Sequence, residues 1–185
     1  MPRFAQANGR SEAPKVLASI LNGVPYAQLD VWSSMARPPS IRQTFYYKVS
    51  PERVYRALTE PSELVKWFPD RAQISLKPGG RFYLTWKAGF TMRGKVKAVK
   101  PPTELRVTWI DRIPGVSTFE TEARFKLVGK GKGTLLTVHH SGFESGQRWI
   151  SLYGAVQSGW AYYLTNLRSV LEHKIDLRTS NDSLV

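Results

Sequence analysis

The sequence predicts an α+β fold: a curved, seven-stranded antiparallel sheet wrapped around one long C-terminal α-helix, with two short helices between strands 1 and 2. Three observations carry this. Large apolar residues at Trp149, Tyr153, Val156, Trp160, Tyr163, Leu164, Leu167, Leu171 and Ile175 recur in steps of three and four, one stripe along a helix over 147–175. Between residues 72 and 141 short runs alternate apolar and polar residues, the mark of strands with one covered and one wet face. The connections between those runs are too short for crossovers, so neighbouring strands run antiparallel.

The closing helix would be roughly 40 Å long, too long to bury itself and in need of a broad partner. Gly154 and Gly159 sit inside it, and each costs about 1 kcal/mol relative to alanine. Such glycines imply either a close approach of the helix backbone to a sheet or room beside the stripe.

The remaining elements follow in order. Residues 41–49 are rich in β-branched and aromatic side chains and form the first strand. Ser50-Pro51-Glu52 supplies an N-cap, a proline for the first turn and an early acid, so a helix runs over 51–58. Thr59-Glu60-Pro61 interrupts it, and a second short helix carries Leu64, Val65, Trp67 and Phe68. Strands follow at 72–76, 80–86, 91–99, 104–110, 116–127 and 134–141, with turns at Lys77-Pro78-Gly79-Gly80, Pro101-Pro102 and the glycine-lysine run 129–133. Residues 1–39 are punctuated by proline, glycine and asparagine and read as a loosely packed N-terminal extension, with Met35 an alternative start. The domain is expected over 40–178, with a tail at 179–185.

The chain has 42% hydrophobic residues, which is globular composition, and no cysteine, which excludes disulfides and thiolate chemistry. No run approaches the roughly 18 apolar residues of a membrane span, and no signal-peptide core is present, so a cytoplasmic protein is expected. The formal charge of +13 favours anionic partners.

An ordered set of motifs then resembles a known family. Ser50-Pro51-Glu52-Arg53-Val54-Tyr55-Arg56-Ala57-Leu58-Thr59-Glu60-Pro61, Lys66-Trp67-Phe68 and Pro78-Gly79-Gly80-Arg81-Phe82 are similar to the opening of the SRPBCC (START/Bet-v-like) superfamily. Gly94-Lys95-Val96, Pro101-Pro102-Thr103-Glu104-Leu105, Thr108-Trp109, His140-Ser141-Gly142-Phe143, Gly159-Trp160 and Leu171-Glu172 continue the match over about residues 41–175. The branch it resembles is the AHSA-type domain, named for activators of the heat-shock-protein-90 ATPase. The resemblance implies the helix-grip (START-like) fold with a cavity between helix and sheet, where family members bind hydrophobic small molecules and some catalyse reactions. The chain lacks the extra N-terminal domain of the eukaryotic co-chaperone, so a heat-shock-protein partner is not expected.

The lining of that cavity is expected from Trp67, Phe68, Phe82, Leu84, Trp86, Trp109, Phe119, Val138, His140, Tyr153, Val156, Trp160 and Leu164. The alternative is that the same rings fill the space themselves. His140 is the inward member of the His139-His140 pair and the one weak candidate for a general base; a satisfied structural histidine is the plainer reading. Alternation sends the two histidines to opposite faces, and no acid cluster completes a metal site, so neither metal nor cofactor is expected. Glu120 and Glu122 fall outward, and no nucleophile-base set is visible. Arg93, Lys95 and Lys97 share one phase and are expected on the outer sheet face, where they could meet a polyanion. The expected function is binding of an apolar or aromatic small molecule. An enzyme of the same fold (a cyclase, dehydratase or hydrolase) and a basic interaction module for co-chaperone, nucleic acid or anionic membrane are the alternatives. A homodimer is left open.

Overall fold

The structure is a computed structural model and describes residues 40–87, 89–113 and 117–178. The expected extension at 1–39, the start at Met35 and the tail at 179–185 lie outside them. The elements run β1 (Ile41–Tyr47), α1 (Pro51–Thr59), α2 (Pro61–Leu64), β2 (Arg71–Ile74), β3 (Arg81–Thr85), β4 (Thr91–Lys100), β5 (Glu104–Ile113), β6 (Ser117–Lys130), β7 (Gly133–Ser141) and α3 (Gln147–His173). All seven strands form one sheet in the order β1-β7-β6-β5-β4-β3-β2, every pair antiparallel. This is the expected helix-grip architecture.

Local chemistry explains the boundaries. The Ser50 hydroxyl accepts from the Arg53 amide at 3.3 Å, and Pro51 opens α1, which buries Val54, Tyr55, Ala57 and Leu58. The second short helix is shorter than expected: it ends at Leu64, and Val65, Trp67 and Phe68 follow in a turn. The helix α3 stops at His173, where Lys174 takes a left-handed conformation (φ 63°) and its amide reaches the Val170 carbonyl. Ile175 therefore leaves the stripe and stands exposed. In β4 the alternation breaks at a bulge between Val96 and Ala98. Lys97 is the extra residue, without a cross-strand partner, and is exposed like Arg93 and Lys95. Gly94 has a steric reason: a Cβ there would lie 1.9 Å from the Thr108 carbonyl oxygen on β5.

The core lies between the inner sheet face and α3, with α1 and the 65–69 turn closing one end. That turn leaves carbonyls without helical partners, and buried carbonyls need donors. Side chains supply them. Asn166, fully buried on α3, donates to the Trp67 carbonyl at 2.8 Å, and its own oxygen accepts from the Leu177 amide at 2.7 Å. Arg178 folds back to donate to the carbonyls of Val65 (2.8 Å), Phe68 and Pro69 (both 3.1 Å), and Asp176 holds its guanidinium. The Trp67 indole N–H reaches the Ala57 carbonyl at 2.9 Å, tying the turn to α1. Asn166→Ala removes the donor to the Trp67 carbonyl and an acceptor of the Leu177 amide, so urea unfolding should show a loss of roughly 2–4 kcal/mol. Arg178→Ala should cost about 1–3 kcal/mol by the same route. Unchanged midpoints would remove the clamp from the account.

Candidate functional site

Four elements bring aromatic side chains to the middle of the interior. The ring of Phe68 lies 5.0 Å from Trp67, 5.3 Å from Trp86, 5.5 Å from Trp160, 6.0 Å from Trp109 and 4.7 Å from Tyr163, centroid to centroid. Trp67, Phe68, Trp109 and Trp160 are buried in this block, and Phe82, Leu84, Phe119, Val138 and Leu164 are buried in the core around it. Of the expected lining, Trp86, Tyr153 and Val156 are only half-buried and pack against the core from its margin. Trp86 lies one residue past β3, where its indole N–H donates to the Phe68 carbonyl at 3.1 Å and its ring meets Phe90 at 5.3 Å.

His140 faces inward with no exposed surface. An indole N–H can only donate, so Trp160, 3.0 Å from Nδ1, fixes that nitrogen as acceptor and leaves the ring proton on Nε2. Nε2 lies 2.7 Å from the Thr121 hydroxyl, which in turn donates to the Trp109 carbonyl at 3.1 Å. Both ring nitrogens are engaged within the protein. Burial then drives the imidazole down to about 3, with His139 adding to the effect. A neutral, doubly bonded histidine holds α3 to the sheet and offers no free nitrogen to a substrate.

The same strand carries a second buried ionisable group. Alternation continued from Leu105, Val107 and Trp109 places Asp111 on the inner face, and it is 3% exposed. Its cross-strand neighbours are Met92 and Phe119, and one carboxylate oxygen accepts from the Trp109 indole at 2.9 Å. Burial pushes its carboxyl up to about 7, and the indole hydrogen bond only partly opposes this. An expected strand end at residue 110 hides Asp111 by one residue.

The two helix glycines differ. Gly154 precedes exposed Gln157 and Ser158 by one turn, and so lies on the outer side of α3. Gly159 stands one turn from Ala155 on one side and Tyr163 on the other, both buried, and so belongs to the inward sector. A Cβ added at either glycine would meet no atom within 4 Å. A close backbone approach is thereby excluded, and the open space before half-buried Gly159 lies at the margin of the helix–sheet contact. One turn on from Gly159, Tyr163 begins a chain of ring contacts: Tyr163 meets Phe68, Phe68 meets Trp86 and Trp86 meets Phe90. The first turns of α3 are loosely covered too, with half-buried Trp149 against Phe119 at 5.1 Å and half-buried Tyr153 against Phe143 at 5.2 Å.

On the outer face Arg93 and Lys95 are exposed, Arg93 lying over the Tyr83 ring at 5.2 Å. Glu120 and Glu122 also point outward. A half-open depression of about 380 Å³ lies on the same face, lined by Arg42, Arg124, Lys126, Val128, Thr137 and His139. Among the described residues no three acidic or histidine side chains gather as a metal site, and no helix is long and apolar enough to cross a membrane.

The buried acid and the buried base have opposite signs in stability. Asp111, raised from 3.8 to about 7, contributes stability that is full below pH 4 and is lost as pH rises through 7. His140, lowered from 6.5 to about 3, contributes stability that is present above pH 6.5 and lost as pH falls. Between about pH 5 and 6.5 the two slopes cancel. Asp111→Asn keeps the acceptor for Trp109 and leaves only the histidine term. Its urea-unfolding free energy should fall by about 1.4 kcal/mol per pH unit on acidification from 6.5 to 5, and exceed that of the parent by a few kcal/mol (~2–4) at pH 8. A flat profile in the variant would show that burial does not lower the His140 imidazole.

The family described as Activator of Hsp90 ATPase homolog 1-like protein matches residues 48–172. Among solved structures the chain is similar to protein MLL2253 from Mesorhizobium loti, at 24% identity and a TM-score of 0.66 over 74% of this chain and 99% of that one. It is also similar to the Aha1 dimer from Colwellia psychrerythraea (23%, TM-score 0.61, 74% and 98% covered) and to PFC0360w from Plasmodium falciparum, described as an HSP90 activator (21%, 0.58, 72% and 96%). A search of curated proteins finds no match. At these identities the solved structures carry the fold alone. With the family pattern matching most of its length and the sheet-and-helix architecture in agreement, this chain belongs to the AHSA1-like family of the SRPBCC superfamily.

Proposed function

We propose that this protein binds one apolar or aromatic small molecule beside α3, at the open space before Gly159 and near Tyr163. The carrying observation is Gly159: a half-buried position one turn from buried Ala155 and Tyr163, where an added Cβ would meet no atom within 4 Å. An alanine there would stabilise the helix by about 1 kcal/mol without meeting any neighbour. The half-buried rings of Trp86 and Phe90, linked through Phe68 to Tyr163, offer partly uncovered aromatic surface, which suits an apolar guest of two or three rings. The central block around Phe68 is the floor of the site. His140, with both nitrogens occupied, takes no chemical part, so the reading is binding without turnover.

The likeness to an HSP90 activator carries the fold alone, and no chaperone partner is taken from it. N-phenyl-1-naphthylamine, a neutral probe of two fused rings and a phenyl group, tests the site. Its fluorescence should rise to saturation at one molecule per chain, with native mass spectrometry counting the bound probe. Gly159→Leu should weaken it at least tenfold while the unfolding midpoint stays level or rises. Equal binding by the variant, or none by the parent chain, would defeat the proposal.

A further inference from the structure

We propose that the outer face of β1, β7 and β6 is a second, independent site that binds the phosphate of a small organic phosphomonoester. The register places Arg42, His139 and Arg124 side by side in one cross-strand row, and Arg106 of β5 is the next member. Of this row only Arg124 and Arg106 are like charges directly opposite one another, which costs stability, while Arg42 faces the histidine. Two members are partly answered within the protein: Glu104 accepts from Arg124 at 2.5 Å, and Glu122 stands 3.8 Å from Arg106. Among the described residues Arg42 and Lys126 have no carboxylate partner.

The depression formed by these residues has the chemistry of a phosphate ester site. Arg42, Arg124 and Lys126 supply three positive charges around it and Glu104 removes one, leaving a formal +2. A phosphomonoester carries close to two negative charges at neutral pH, and guanidinium forks match its oxygens in pairs. Thr137 and Thr44, hydroxyl to hydroxyl at 2.9 Å, add a polar edge at its side. Val128 borders the same space and is 49% exposed. That apolar rim, with a volume of about 380 Å³, leaves room for an organic group beyond the phosphate. The chain's own first 39 residues do not complement the site in charge, having Arg3, Arg10, Lys15 and Arg37 against Glu12 and Asp30.

Isothermal titration of the full chain with adenosine 5′-monophosphate, ribose 5-phosphate, inorganic phosphate and adenosine tests this, alongside flotation with phosphatidic acid vesicles. Both phosphomonoesters should bind, inorganic phosphate should bind several-fold more weakly, and adenosine should not bind. Arg42→Gln and Lys126→Gln, both exposed and verified as folded by circular dichroism, should each weaken the esters about tenfold. Lys95→Gln, on β4 away from the depression, should change affinity less than twofold. The proposal is overturned if adenosine binds as well as its phosphate, if no ester binds, or if only vesicles bind. It also falls if Lys95→Gln is as damaging as Arg42→Gln, since the effect would then be one of diffuse charge.

Discussion

One polar joint sets how the long helix sits on the sheet. Apolar packing is non-directional, and a stripe as wide as that of α3 could be covered at several rotations. The Trp160 indole removes that freedom, because its N–H has one acceptor, Nδ1 of a histidine that is itself tied to Thr121 and through it to the Trp109 carbonyl. Turning the helix by one residue, about 100°, would leave an indole N–H and an imidazole nitrogen buried without partners. Two weaker ties agree with this rotation: the Tyr47 hydroxyl donates to the Leu164 carbonyl at 3.1 Å, and the Gln43 amide to the Gln157 carbonyl at 2.7 Å. The histidine that resembles a catalytic group in the sequence therefore acts through geometry.

The sheet was legible because its signal is local. Alternation within each strand assigns Trp109, Phe119, Val138 and His140 to the inner face without reference to any neighbour. Features that depend on pairing were not legible. The bulge at Val96/Ala98 arises where β4 meets β5, and nothing in the run of lysines and valines marks it. The row of Arg42, His139 and Arg124 draws one residue from each of three strands, so it exists only once the register does. The sequence drew the eye instead to Arg93, Lys95 and Lys97, whose proximity along the chain is not proximity in a depression. Asp111 needed only one more step of the alternation that placed Trp109.

Along the helix the two ends of the interior are finished differently. Around Asn166 the bonding is saturated: both ends of its amide are used, Arg178 answers three carbonyls, and Trp67 and Phe68 are packed on both sides. Toward the start of α3 the features are the reverse. Trp149 and Tyr153 are half-buried, the inner sheet face carries a carboxyl that burial pushes up to about 7, and at mid-helix half-buried Gly159 has open space before it.

Each of those features lowers stability and each has a cheap remedy, alanine for Gly159 and asparagine for Asp111. A sequence shaped by stability alone has no reason to keep them. Rigid support at one end and unfilled contact capacity at the other is what a binding site requires, since the guest can gain only where the host has left interactions unmade. The opposite sheet face shows the same contrast in charge: of three arginines in one register row, Arg124 and Arg106 are answered by glutamates, and Arg42 has no carboxylate partner among the described residues.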